Sequence, residues 1–194
     1  MKQLLFLLFI FSFFASCNQS KPDKTQSKLE HKKELETIQS KKKKDTINNY
    51  WAINLDTIIS HQKFIIHSLK HTLELKTYSL NDSSIVRNLS QDKEQVYLDH
   101  SHKMVTDFKL RTDTIIDKKQ IDLTDFKKTL ISEFYTKCNL FSTDIDSLSL
   151  DTIYLTSDLA IPDTDNQWRV WYSVKIKGKQ LGKLEFIKTK YVGI

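Results

Sequence analysis

His100 and His102, in Asp99-His100-Ser101-His102-Lys103, come closest in this chain to the type and spacing of metal ligands. Residues two apart in an extended segment project to one face, and neutral imidazole is the commonest protein ligand for transition metals. His67, brought in from a neighbouring strand, would make a third ligand, with Asp99 at hand as an acid or base. That set would suit a metal-assisted enzyme. His67 and His71 cannot share one ion by themselves, because four residues of extended chain separate them by about 13 Å. No second ligand pair and no helical His-Glu-x-x-His pattern accompanies these histidines. The set is incomplete, and no metal site is assigned.

Other reactive side chains give less. Asp144, Asp146 and Asp151 fall in Ser-Thr-Asp-Ile-Asp-Ser-Leu-Ser-Leu-Asp, and Asp163 and Asp165 in Pro-Asp-Thr-Asp-Asn-Gln. A calcium loop needs alternating oxygens, then Gly, then a distant Glu. Both stretches lack the Gly and the Glu, so turn chemistry accounts for them. The first glycine of the chain is Gly178. This excludes a phosphate-cradling loop, a dinucleotide fingerprint and a Gly-x-Ser-x-Gly elbow from everything before it. Cys138 shares an apolar stripe with phenylalanines and is expected to be buried and inert. No catalytic constellation and no cofactor site emerges, and a non-enzymatic protein is expected.

The N-terminus is more specific. An apolar run, Leu4 to Phe14, follows Lys2 and ends in Phe14-Ala15-Ser16-Cys17 before the polar stretch Asn18-Gln19-Ser20-Lys21. The run is too short to cross a bilayer, which takes about 20 apolar residues. It has the charged start, apolar middle and small-residue end of an export signal. Phe14-Ala15-Ser16-Cys17 resembles the lipobox of bacterial lipoproteins, although Phe14 stands where Leu is commoner. The resemblance covers residues 1–17. It implies that residues 1–16 are removed, that Cys17 is acylated and that the mature chain is anchored to a membrane without spanning it. Two or more acyl chains, at about 0.8 kcal/mol per buried methylene, hold firmly where one holds reversibly. The phenylalanine-rich signal, together with few Ala, Gly and Pro and abundant Lys, Ile and Asp, is similar to small lipoproteins of the Bacteroidota. That likeness implies the cell envelope and, since Asn18 rather than Asp follows the cysteine, the outer membrane. It leaves the facing direction open.

The formal net charge is +6, yet the excess is local. Between Asn18 and Asn49 nine lysines stand against five acids, for +4, and Lys2 carries another +1. Residues 50–194 are left near +1, which argues against a nucleic-acid surface. Residues 17–49 lack aromatic residues and are charge-rich, as in a flexible tether. A basic tether near an anchor can meet anionic headgroups, at about 1 kcal/mol per basic residue close to the surface, or simply remain solvated. With Cys17 acylated, only Cys138 remains and no intramolecular disulfide forms. About 145 residues suffice for one core, so residues 50–194 are read as a single domain.

Within that domain, alternation of period two dominates. Ile65, His67, Leu69, His71, Leu73 and Leu75 mark one face of a long strand over residues 63–80. A second extended region covers 96–116, and others cover 147–156, 168–177 and 183–191. Asp-Thr-Ile occurs at 45, 56, 113 and 151 and reads as a strand-start signal. One segment has helical spacing. Phe126, Leu130, Ile131, Phe134, Tyr135 and Cys138 form a single stripe, with Asp122 or Thr124 as the cap. The expected fold is therefore α+β: a mainly antiparallel sheet with one amphipathic helix, about 125–138, packed on it. Residues 178–182 read as a hairpin loop, and pairing Ile176 with Leu184 and Val174 with Phe186 keeps one core face. In that register Trp171 lies on the opposite face near Ile187 and Tyr191, with Arg169 and Lys175 beside it. Trp171, Arg169 and Tyr191 are the candidate binding residues for a protein or glycan partner. The alternative is that a second layer covers this face.

These features point to a membrane-anchored envelope lipoprotein. Its domain would bind a protein or envelope component through no cofactor, its membrane contact being the lipid on Cys17. An immunity- or inhibitor-type lipoprotein and the metal-assisted enzyme are the alternatives.

Overall fold

The computed structural model describes residues 45–91 and 95–193. The signal segment, Cys17 and the tether up to Lys44 lie outside them. Eleven strands are present among the described residues: β1 (Asp45–Tyr50), β2 (Thr57–Ile66), β3 (Leu69–Ser79), β4 (Ile85–Asn88), β5 (Gln95–Ser101), β6 (Met104–Thr112), β7 (Ile115–Asp122), β8 (Asn139–Ser149), β9 (Thr152–Ala160), β10 (Gln167–Lys177) and β11 (Gln180–Tyr191). Each Asp-Thr-Ile triplet sits at a strand start, opening β1, β2, β7 and β9. Asp45 to Asn49, which composition alone places in the tether, are strand.

Two four-stranded antiparallel sheets, in the orders β2-β3-β6-β7 and β11-β10-β9-β8, face each other. One hydrophobic cluster fills the space between them. Leu73, Leu75, Phe108, Leu110 and Ile121 come from the first sheet, and Leu140, Ile153, Leu155, Val170, Tyr172 and Val174 from the second. The sheets also meet at an edge, where Leu181 N donates to the Asp117 carboxylate (2.7 Å) and Lys119 Nζ to Gly182 O (3.2 Å). A third, small sheet, β1-β5-β4, has β1 parallel to β5.

The protein is nearly all β, which corrects the expected α+β class. Of the expected stripe, Phe126, Leu130, Phe134 and Cys138 are buried, Tyr135 is half-buried and Ile131 is exposed. The backbone beneath it is two short turns, a 3-10 turn at Leu123–Phe126 and a one-turn helix at Ser132–Tyr135. Ile131, extended at ψ 142 and 56% exposed, separates them. Four-residue spacing is met by any segment that returns to the core every turn, and this crossover between the two sheets does so without continuous helix. The expected cap is real. Asp122 accepts from Thr124 N at 2.7 Å and its own N–H donates to Asp125 at 3.0 Å, but the box starts the 3-10 turn.

Two further differences concern register. The long alternation over 63–80 is a hairpin, β2 to β3, whose two-residue turn His67-Ser68 takes positive φ at both positions (47° and 66°). Such a turn matches strand twist, yet it is normally announced by Asn or Gly. The β10–β11 connection is also a two-residue turn, Gly178-Lys179, with Gly178 at φ 63°. Ile176 pairs with Leu181, Val174 with Leu184 and Tyr172 with Phe186, so the expected pairing is displaced. Irregularities occur between Val174 and Ile176 and between Trp171 and Tyr172. The second places Ile187 as an extra residue, after which every β11 side chain changes face.

Candidate functional site

The inward row of β3 reads His71, Leu73, Leu75, Thr77, Ser79. After His71 near the β2–β3 turn it is apolar at Leu73 and Leu75 and hydroxylic at Thr77 and Ser79 toward the other end. The facing strands follow suit. Thr77 lies opposite Thr106, and Thr143 opposite Ser157. Their hydroxyls join in one chain across both sheets: Thr77 to Thr106 (2.7 Å), Thr106 to Thr143 (3.0 Å), Thr143 to Ser157 (2.8 Å) and Ser157 to the Tyr172 hydroxyl (2.9 Å). All five side chains are buried. A hydroxyl buried with a partner avoids the desolvation cost it would otherwise carry, so the belt is a stable polar layer at the end of an oily core. Burial raises the Tyr172 phenol well above its ordinary pKa.

Beyond the belt a cleft of about 600 Å³ opens, within the range of small-molecule sites. Thr77, Ser79, Ser101 and Asn139 bring polar groups to it, and Ile58, Met104, Leu140, Phe141 and Ile161 are its apolar lining. Residues 51–56 and the β9–β10 turn, 161–166, form its lips. Asn81 holds the first lip, accepting from Asn54 N (2.9 Å) and donating to Asn54 O (3.0 Å). His102 holds it too. Ser83 N–H donates to His102 Nδ1 (3.0 Å), so Nε2 carries the proton and donates to Ala52 O (3.1 Å). Arg87 holds the second lip by donating to Pro162 O (2.9 Å).

Arg87 is itself fixed by Asp99, its partner in a buried ion pair. Asp99 also accepts from Asn49 Nδ2 (2.7 Å) and from Trp51 Nε1 (3.0 Å). Burial pushes the Asp99 carboxyl pKa up, but hydrogen bonds from Asn49, Arg87 and Trp51 and the guanidinium charge outweigh it and hold the group below the usual range. The guanidinium lies 5.7 Å from the centre of the Trp51 ring. Asp99 thus serves as a shared acceptor that ties Asn49, Trp51 and Arg87 together.

The histidines do not assemble. His67 is in the β2–β3 turn, while His102 lies just before Met104, which pairs with Ser79 at the far end of β3. Ten residues of strand separate those ends, roughly 33 Å at 3.3 Å per residue. His100 stacks on Tyr50 with ring centres 4.4 Å apart and bonds to Asn48 through Nε2 (2.9 Å). His71 is buried, bonded through Nδ1 to Thr112 (2.7 Å), and its Nε2 has no partner. Among the described residues no three His, Cys, Asp or Glu are placed to share an ion. Cys138 is fully buried, and burial pushes its thiol up to about 12.

The candidate surface residues divide. Trp171 is half-buried on the outer face, with Lys188 Nζ 4.4 Å above its ring. Arg169 forms a two-pronged bond to Asp158 across the sheet (2.6 and 2.8 Å). Tyr191 is on the other face, because the extra residue at Ile187 turns it inward beside Trp168 (6.0 Å between ring centres, edge to face). The three do not make one patch. The cleft is not legible in the sequence as a site because its lining, His102 and Asp163 included, comes from separate segments that only the fold brings together. The switch from Leu to Thr and Ser in the inward row of 71–79 was its available signal.

The fold and site thus define an all-β sandwich with a polar-floored cleft at one end. No protein-family model matches the chain, and no curated protein matches it.

Proposed function

We propose that this chain is a lipid-anchored protein of the bacterial envelope whose sandwich domain works by binding. The observation that carries the anchor is Phe14-Ala15-Ser16-Cys17 at the end of the apolar run. Acyl chains on Cys17 would supply firm attachment with no spanning segment, and the Lys-rich stretch that follows would approach anionic headgroups. The outer membrane is the proposed location. The binding role is supported by a cleft whose lips are held by dedicated hydrogen bonds and whose nearby charged pair, Arg87–Asp99, is consumed structurally. Replacement of Cys17 by Ser in the native host tests the anchor. The wild-type chain is expected in the membrane fraction with added acyl mass, and the variant is expected to lose both. Unchanged retention at unchanged mass would sink the proposal.

A further inference from the structure

Three observations converge on the cleft. First, its walls are apolar: Ile58, Met104, Leu140, Phe141 and Ile161 line it. Second, Ser101 lines it, is 2% exposed, and has a hydroxyl without a hydrogen-bond partner. Leaving a buried hydroxyl unpaired is unfavourable, and a ligand acceptor seated there would recover part of that cost. Third, each lip contributes one exposed carboxylate, Asp56 from the first and Asp163 from the second. Among the described residues neither carboxylate is paired with a cation, and no Lys or Arg lines the cleft. His102, the one imidazole there, has both ring nitrogens committed.

An anion entering this site would face two carboxylates with no compensating charge, at a cost that grows as water is displaced. A neutral apolar molecule would leave the lips unused. Resting on the binding role proposed above, we infer that the cleft takes an amphiphilic amine: an ammonium between Asp56 and Asp163, an apolar body along Met104 and Leu140, and a hydrogen-bond acceptor at the inner end against Ser101.

The test is calorimetric titration of the full chain with four probes: 4-phenylbutylamine, 4-phenylbutanol, 4-phenylbutanoate and 4-(4-acetylphenyl)butylamine. The amine is expected to bind about tenfold more tightly than the alcohol, from two partly screened charge contacts, and the acid more weakly than either. The double variant Asp56→Asn/Asp163→Asn, at exposed positions, should bring the amine down to the alcohol. The acetyl group should gain about fivefold from one hydrogen bond, a gain absent in Ser101→Ala. Equal binding of acid and amine, an amine affinity untouched by the double variant, or no binding at millimolar probe overturns the inference. Those outcomes leave Cys17-dependent membrane retention as it is, and loss of that dependence would leave the probe series as it is.

Discussion

Asp99 collects donors from three places in the chain, Asn49 on β1, Trp51 just after it and Arg87 on β4. Removing one member of a buried pair strands the other charge, so Asp99→Asn is expected to cost about 3–5 kcal/mol in urea unfolding. Replacing both, as Arg87→Met with Asp99→Leu, should cost much less, since no charge is then left buried. His71 and Asp99 contribute to the acid response in different pH windows. Burial lowers the His71 pKa, with the nearby Asp113 opposing it, so the unfolded chain binds that proton more readily. Its contribution is present above about pH 6.5 and is lost as pH falls toward the depressed folded value. Asp99, also depressed, acts in a lower window, losing its contribution below about pH 4. Urea midpoints from pH 7.5 down to 5 should fall for the wild type and fall less for His71→Gln. A flat wild-type profile in that range would contradict the assignment to His71.

At the scale of elements, tight turns carry most of the backbone strain. Leu150, in the β8–β9 turn, holds φ 54° with its side chain 93% exposed. A leucine there meets the left-handed penalty of about 1–2 kcal/mol without any packing in return. Leu150→Asn is therefore expected to raise stability by about 1 kcal/mol at unchanged urea m-value. Gly182 is the opposite case: a Cβ would stand 2.8 Å from the Lys175 carbonyl oxygen, so Gly182→Ala should destabilise the β10–β11 pair, visible as a lower thermal midpoint. The same turns decide what could be read from sequence. Alternation marks extended chain, and Asp-Thr-Ile marks four starts, but the expected stretch 147–156 runs across the β8–β9 turn and 96–116 across the ends of β5, β6 and β7. His67-Ser68 lacks the usual turn residues, so two strands read as one. Ile187 interrupts alternation without any sequence mark, so alternation alone puts Tyr191 on the face opposite the one it occupies. The stripe from Phe126 to Cys138 is buried at Phe126, Leu130, Phe134 and Cys138 but not at Ile131, and its backbone is not one helix, because burial constrains spacing and leaves the path between contacts free.

Over the whole molecule, the core changes character along its length, from leucines and phenylalanines at Leu73, Leu75 and Phe108 to the hydroxyl belt and then the cleft. Thr106→Val removes a central link of that belt and leaves Thr77 and Thr143 short of a partner, an expected cost of about 1–3 kcal/mol. The small sheet has a different bearing, on time. Asn49 and its partner Asp99 are 50 residues apart, so a chain that emerges N-terminus first must deliver that whole interval before the pair can form. The strands β8 to β11, by contrast, pair each with the next across short turns and need no such wait. β1 therefore stays without its partner while β2 and β3 are already able to pair. The lip bearing Trp51 is set only after the chain has grown past β5.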